Sequence, residues 1–269
     1  MFDLFGTKKE GPGVYLDTPR KKGPARFFEI LFRDFSSFYF SAFLSTIVLL
    51  PALFSLVFTV LSANLFWSVL FGAISGMIAS PCHAVLVDTI LRAQRDEPGY
   101  WWVRYRKAFR NNWKASLLPG AIFGMLINIQ TLCLYVVLPN DLSVITLAST
   151  ILSAFVTGFL MLWVYPQIVL FDMPLIKILR NAAILSFSQL PRTFCAVLLT
   201  LIYWAAVYLF FPISVLVLLL TLTWLPTFIG LSVIYLPLDK TFEVEKQVEE
   251  KREEEAAKQP RYYSKENNF

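Results

Sequence analysis

The sequence is poor in charge and in the residue types that build catalytic or metal centres. Only 16% of its 269 residues are charged, and it has one histidine and three cysteines. A soluble domain carries about 25% charged residues, so a water-soluble fold is excluded for most of the chain. Cys82, Cys133 and Cys195 form neither a close pair nor a metal-ligand spacing, so they imply no disulfide framework or zinc site.

Enzyme motifs are missing as well. The sequence has no His-Glu-x-x-His, no Gly-x-Ser-x-Gly and no glycine-rich phosphate loop, which are the patterns that carry metal, nucleophile or nucleotide chemistry. We therefore expect no enzymatic activity, no cofactor and no catalytic or metal-binding residues. The net charge of +5 follows from the membrane topology below, so nucleic acid is not an expected partner.

What the chain has instead is three long stretches without lysine or arginine, at 34–91, 115–176 and 193–239. Burying either residue at the bilayer centre costs about 2.5–3.5 kcal/mol, so such stretches mark the membrane. About 20 helical residues cross the hydrocarbon core, and each stretch therefore suits two crossings joined by a short turn. The pattern predicts an all-α integral membrane protein with six transmembrane helices, at about 38–61, 65–86, 117–138, 144–171, 194–211 and 213–236.

The positive charges also predict the orientation. All 24 lysines and arginines fall on one side of the six helices, and positive residues collect on the cytoplasmic side. We expect a multi-pass protein of the cell membrane with both termini in the cytoplasm. The predicted parts are an irregular N-terminal segment (1–26), the six-helix membrane domain (27–239) and a charged C-terminal helix and tail (240–269).

A short segment recurs before each predicted helix pair, at 31–34, 108–111 and 178–181. We interpret the recurrence as a threefold repeat, in which a cytoplasmic interfacial amphipathic helix precedes each hairpin. In 100–114, aromatic and basic residues alternate at helical spacing, which is typical of a helix lying flat at headgroup level. Such a helix is either a simple elbow or a docking surface for anionic lipid headgroups or a partner's acidic loop. The candidate contact residues are Arg104, Arg106, Lys107, Arg110, Lys114, Lys177 and Arg180.

Few polar groups lie inside the predicted spans, and these are the default functional candidates there. The residues that could line an intramembrane polar path are His83, Asn128, Gln130 and Gln167. The alternative is that the amides tie helices together and that His83 bonds a neighbouring helix carbonyl. Asp88 is expected to pair with Arg92 four residues later.

Glycines and prolines in the spans give two further expectations. The spacings Gly72-x-x-x-Gly76 and Gly120-x-x-x-Gly124 predict close helix packing. Pro51 and Pro226 lie near span centres, where proline can break a helix.

Several short motifs are scattered along the chain: Glu10-Gly11-Pro12-Gly13-Val14, Phe27-Phe28-Glu29-Ile30 with Arg33, Asn112-Trp113-Lys114, Phe171-Asp172, Asn181-Ala182 and Leu190-Pro191-Arg192-Thr193. Together they resemble the YesL-like family of bacterial polytopic membrane proteins, which is classed as a domain of unknown function. The resemblance implies a context of carbohydrate-uptake ABC transporters, and it supplies no catalytic or binding residues. Two hypotheses follow: a non-enzymatic accessory component of a carbohydrate-uptake system that contacts ABC transporter subunits, or a small permease for sugars or oligosaccharides.

Overall fold

The computed structural model describes residues 20–21, 23–97, 99–140, 143–248 and 250 of the chain. These residues form helices and short connections, and no strand occurs among them. The helices are α1 (Pro24–Arg33), α2 (Phe35–Ser62), α3 (Leu65–Gln94), α4 (Trp101–Leu132), α5 (Leu138–Asn140), α6 (Val144–Leu170), α7 (Leu175–Ser188), α8 (Leu190–Leu209), α9 (Ser214–Thr221) and α10 (Trp224–Phe242). A π-helical segment, Cys133–Val137, joins α4 to α5.

Five of these elements are long and apolar enough to cross a membrane: α2, α3, α4 with its extension to Asn140, α6 and α8. The pair α9 and α10 meets the same criterion jointly but is bent by 63°, which gives a sixth crossing if the two form one broken span. The predicted class, an all-α membrane protein with several crossings, is therefore confirmed.

Helix α3 lies at the centre of the packing. In its most apolar window 56% of the residues are buried, against 6% to 22% in the other four long helices. Five consecutive residues, Ala84–Asp88, are all buried, and five consecutive residues cover every side of a helix. Helices α2, α4 and α6 each pack against α3.

Two pairs of glycines bring the backbones of α3 and α4 into contact. Gly72 of α3 faces Gly124 of α4, and Gly76 faces Gly120. A Cβ atom added at Gly72 would lie 2.7 Å from the backbone oxygen of Gly124, which is too close for any side chain. The predicted packing of the two glycine motifs is confirmed, and the two helix backbones touch as small-residue motifs allow.

A short turn connects α2 and α3. Helix α2 ends at Ser62 and α3 begins at Leu65, so the turn expected at 62–64 is present. Ala63 adopts a left-handed conformation with φ of 48°. The Asn64 side chain caps α3 by accepting a hydrogen bond from the Trp67 amide, which is a common way for helices to begin.

Two of the three expected interfacial helices are separate elements. Helix α1 ends at Arg33, and α2 begins after Asp34. Helix α7 begins after Pro174, which has an extended backbone conformation. Gln189 separates α7 from α8. Pro191 stands in the first turn of α8, where proline's missing N–H is not needed.

The middle copy differs from the expectation. Residues 100–114 do not form a separate helix, because α4 runs without interruption from Trp101 through Lys114 to Leu132. Pro119, which stands in Ser116-Leu117-Leu118-Pro119 as Pro191 stands in Ser188-Gln189-Leu190-Pro191, lies inside this helix instead of starting a new one. No glycine or second proline stands between Trp101 and Leu118 to end the first segment, so the amphipathic half continues directly into the apolar half.

The last predicted span is divided into two helices that meet at a bend of 63°. The structure replaces the continuous helix expected over 213–236 by α9 and α10, with Leu222 at φ 44° and ψ −134° between them. Pro226 lies in the first turn of α10, which places it at the break that the sequence suggested. On the adjacent helix α8, the Tyr203 hydroxyl forms a hydrogen bond of 2.6 Å with the Thr221 hydroxyl and thus supports the end of α9.

Residues from Tyr235 onward form a second compact unit. Within it, the Tyr235 hydroxyl donates to the Glu245 carboxylate at 2.9 Å, and the Glu245 amide donates to Asp239 at 2.9 Å. The rest of the predicted charged tail, 251–269, lies outside the described residues, as does 1–19 of the predicted N-terminal segment.

Candidate functional site

Arginines from the N-terminal part of the chain converge on the turn that follows α3. Asp96 Oδ2 accepts Arg26 Nη2 at 2.6 Å and Arg20 Nε at 2.9 Å, while Asp96 Oδ1 pairs with Arg33. Arg33 also donates to the backbone oxygen of Ala93 at 2.8 Å. Carbonyl groups at the C-terminal end of a helix lack intrahelical partners, so these contacts fasten α1 to the end of α3 through both charge and helix capping.

The electrostatics of Asp96 follow from this surrounding. Burial opposes ionisation of the carboxyl group, but hydrogen bonds from Arg33 and Arg26 and their positive charges outweigh it and lower the Asp96 pKa. For Arg33, burial also opposes the charged form, and the carboxylates of Asp34 and Asp96 outweigh it and raise its pKa. Asp96 and Arg33 are therefore ionised at neutral pH.

A second group of ion pairs continues the cluster along α3. Arg92 Nε contacts Asp88 at 2.7 Å, which confirms the pair predicted from their spacing. Arg92 Nη1 also contacts Glu97 at 2.8 Å, and Glu97 in turn pairs with Arg95 at 2.7 Å. We call these residues, with Arg20, Arg26, Arg33 and Asp96, the arginine cluster.

Apart from the pair of Asp88 and Arg92, the arginine cluster was not predicted from the sequence. Its local signal is the sequence from Arg92 to Glu97, in which two arginines are followed by two carboxylates within a stretch, 35–140, whose only other acidic residue is Asp88. The arginines that the N-terminal part of the chain contributes to the cluster have no local signal, because Arg26 and Arg33 lie 70 and 63 residues before Asp96.

The predicted contact residues on α4 divide into two kinds. Arg106, Lys107, Arg110 and Lys114 are exposed, on the side of α4 opposite the buried Tyr105. We call these four residues the basic face of α4.

Arg104 belongs to the interior instead. It is half-buried, and its Nη1 donates to the backbone oxygen of Glu97 at 2.6 Å. Lys177 and Arg180 are exposed on α7, whose buried side contains Ile178 and Ala182.

Two of the predicted intramembrane polar residues join helices. Thr59 of α2 donates to Asn128 Oδ1 at 2.8 Å, and Asn128 Nδ2 donates to the Gly124 backbone oxygen at 2.9 Å. Gln130 Nε2 of α4 donates to two hydroxyl groups of α6, Ser153 at 2.9 Å and Thr157 at 2.7 Å. Both amides thus act as contacts between helices.

The other two lie elsewhere in the packing. Gln167 is fully buried, and its Nε2 donates to the Trp163 carbonyl one turn earlier at 2.9 Å. His83 packs edge-on against the Tyr165 ring at 4.5 Å, and the hydrogen bonds of the described residues do not include the expected bond from His83 to a helix carbonyl. Among those residues, none of the four predicted path residues contacts another through a hydrogen bond or a ring.

A further buried contact connects three helices near His83. The Ser80 hydroxyl of α3 donates to the Ser116 carbonyl of α4 at 2.6 Å and forms a hydrogen bond of 2.9 Å with the Tyr165 hydroxyl of α6. This polar contact lies beside the glycine pairs and fixes the three helices relative to one another.

An apolar groove of about 350 Å³ lies between α2 and α3. Its lining residues are Leu50, Pro51, Phe54, Ser55, Phe71, Ile74, Ser75 and Ile78. The two serine hydroxyl groups bond each other at 3.0 Å, so they are satisfied within the protein. None of the four predicted path residues lines this groove.

The described residues include no group of three or more histidine, cysteine, aspartate or glutamate side chains placed to hold a metal ion. In comparisons with known proteins, no family model, no curated protein and no solved structure matches this chain.

Proposed function

We propose that this protein is a non-enzymatic accessory component of a carbohydrate-uptake system in the cytoplasmic membrane. The observation that supports an accessory role is the use of the interior polar groups. Asn128, Gln130 and Ser80 each bond a group on a neighbouring helix, so these groups serve the cohesion of the bundle. A path for a sugar requires hydroxyl and amide groups that face a cavity.

The carbohydrate context comes from the resemblance to the YesL-like family. In this proposal the chain crosses the membrane six times, with both termini and the arginine cluster in the cytoplasm. Reporter fusions at Asn64 and Pro212 test the topology. Both sites are expected on the side opposite the N-terminus, and a fusion at either site that reports the cytoplasm contradicts the six-span arrangement.

The proposed partner is a membrane subunit of an ABC transporter, and the proposed contact is α7. Lys177 and Arg180 are exposed there, and no ion pair of either residue occurs among the described residues. They are therefore available to an acidic cytoplasmic loop of a partner, and complementary charges across an interface guide association.

Affinity purification after mild crosslinking tests this role. A tagged chain is expected to recover transporter subunits that a tagged multi-pass control protein does not recover. The double variant Lys177→Glu/Arg180→Glu should reduce that recovery, whereas Arg192→Glu, which reverses an exposed charge at the start of α8, should not. Recovery of the chain without any transporter subunit contradicts the accessory role.

A second candidate function, a small sugar permease, is favoured by the break between α9 and α10. Broken helices near the midplane are how many transporters present backbone groups to a substrate, and the break at Leu222 has this form. Sugar uptake by vesicles that contain the purified chain alone would favour the permease. In a permease, Tyr203→Phe, which removes the hydroxyl group beside the break, should change the uptake rate.

A further inference from the structure

The basic face of α4 has a regular geometry. Arg106, Arg110 and Lys114 follow one another at intervals of four residues, which places them along one side of a helix, and Lys107 lies next to them. On the opposite side Tyr105, Ala108 and Ser116 are buried. The cations therefore point away from the packed helices.

These four charges are not neutralised within the part of the chain that the structure describes. No ion pair of Arg106, Lys107, Arg110 or Lys114 occurs there, whereas Arg33 and Arg92 of the arginine cluster each contact two carboxylates. Two of the four cations lie over tryptophan rings, with Arg106 at 4.6 Å from the Trp102 centroid and Lys114 at 5.5 Å from that of Trp113.

The continuity of α4 determines the depth of these cations. Because α4 passes from Lys114 into the apolar sequence without a break, Lys114 lies within about 5 Å of Leu117, and Arg106 lies about 12 Å farther out along the axis, at 1.5 Å per residue. The headgroup region of one leaflet is roughly 5–8 Å thick. Lys114 is thus placed at the phosphate level, Arg110 lies about 10 Å from Leu117, just outside the headgroup region, and Arg106 lies farther out on the aqueous side.

We propose that the basic face of α4 binds the headgroups of anionic phospholipids. Uncompensated positive charge at phosphate depth matches a negative lipid surface, and Trp113, partly exposed beside Lys114, is of the residue type that anchors at this level. An acidic protein loop would meet the same charges, but Lys114 lies at the depth that lipid phosphates occupy around the bundle, and Arg110 lies one turn farther out beside it. The proposal does not depend on the accessory role.

Lipid retention in native mass spectrometry tests the proposal. The purified chain is released from nanodiscs with equal amounts of phosphatidylglycerol and phosphatidylcholine that carry the same acyl chains, and the two lipids that remain bound are counted. We expect enrichment of phosphatidylglycerol on the wild-type chain, which decreases as the salt concentration rises. Each cation near an anionic surface contributes about fivefold in affinity, so Arg106→Gln/Arg110→Gln/Lys114→Gln should weaken anionic lipid binding by up to roughly 100-fold.

The matched control removes three exposed positive charges elsewhere, as Lys21→Gln/Arg192→Gln/Lys240→Gln, and should keep the enrichment. Equal thermal unfolding of both triple variants and the wild type verifies that the fold is intact, as expected for exposed side chains. The proposal is overturned if the wild type shows no enrichment, or if both triple variants lose it equally.

A crosslinking experiment in native membranes distinguishes lipid from a protein occupant. A photocrosslinking amino acid in place of the exposed Asn111 leaves the four cations intact. Adducts of phospholipid mass support the proposal. Adducts with a protein that carries an acidic loop, in place of lipid adducts, overturn it.

Discussion

Substitution of Gly76 by alanine should weaken the contact between α3 and α4 more than any ordinary exchange of glycine for alanine. A Cβ atom at Gly76 would meet the backbone oxygen of Gly120 and lie 2.9 Å from the Cα atom of Gly124. Both obstacles are backbone atoms of a helix, which cannot rotate away as a side chain can. The two helices must therefore separate.

The expected magnitude combines two effects. Overpacking a well-packed interior lowers the free energy of unfolding by about 1–3 kcal/mol. Alanine in place of glycine within a helix raises it by roughly 0.5–1 kcal/mol. Because the obstacle is rigid on both sides, the cost should lie at the upper end of its range. We expect a net loss of about 2 kcal/mol of unfolding free energy, or roughly a 30-fold change in the unfolding equilibrium.

Gly230 supplies the matched control. A Cβ atom there would lie 3.1 Å from Cδ1 of Leu162, the flexible end of a side chain that can move by a few tenths of an ångström. Gly230→Ala should therefore change stability by less than about 1 kcal/mol, in either direction. Unfolding by sodium dodecyl sulfate in mixed micelles measures both variants, with the fluorescence of the buried Trp163 and Trp224 as the signal.

The reasoning is refuted if Gly76→Ala is as stable as Gly230→Ala. A second check uses Gly120→Ala, since Gly120 faces Gly76 across the same contact. Once one substitution has separated the helices, the other should cost less, so the double variant should lose less stability than the sum of the single losses.

Three further substitutions test the other contacts. Asp96→Asn should lower stability by about 3 kcal/mol, because it leaves clustered arginines without their carboxylate. Because the Asp96 pKa is lowered in the folded protein, the contribution of Asp96 to the free energy of unfolding is complete above the ordinary aspartate pKa and is lost as the pH falls through the lowered pKa. The unfolding free energy of the variant should therefore lack this decline when the pH is lowered. Thr59→Val leaves Asn128 Oδ1 without its donor and should lower the free energy of unfolding by about 1–2 kcal/mol. In an Asn128→Ala background the same substitution should cause no such loss. Tyr203→Phe removes the hydrogen bond to Thr221 and should accelerate hydrogen exchange of the Thr221 amide. Unchanged exchange would argue against the view that α8 stabilises the end of α9.

Contacts that depend on local spacing could be predicted from the sequence. The pair of Asp88 with Arg92 requires only that four residues make about one helical turn. The glycine motifs predict a close helix contact, because small residues at that spacing form a flat strip on the helix surface. The apolar stretches between basic residues likewise locate the long helices without knowledge of tertiary structure.

Contacts between distant parts of the chain could not be predicted in this way. Nothing near Arg33 indicates that its partner is Asp96 and not only the adjacent Asp34. The continuity of α4 was missed for a related reason. Pro119 and Pro191 each close a similar Ser-x-Leu-Pro sequence, but one lies inside a helix and the other stands in the first turn of one, so the packing around each proline decides the outcome.

The central position of α3 has a consequence for the order in which the protein assembles. The ribosome completes α3 before α4 and α6 exist, so Gly72, Gly76 and Ser80 first meet acyl chains instead of protein. Newly made α3 therefore exposes the Ser80 hydroxyl group and a flat strip along one side until α4 is inserted next to it. Ribosome-bound chains that end before α4 should be extracted from the membrane more readily, and degraded sooner, than chains that include it.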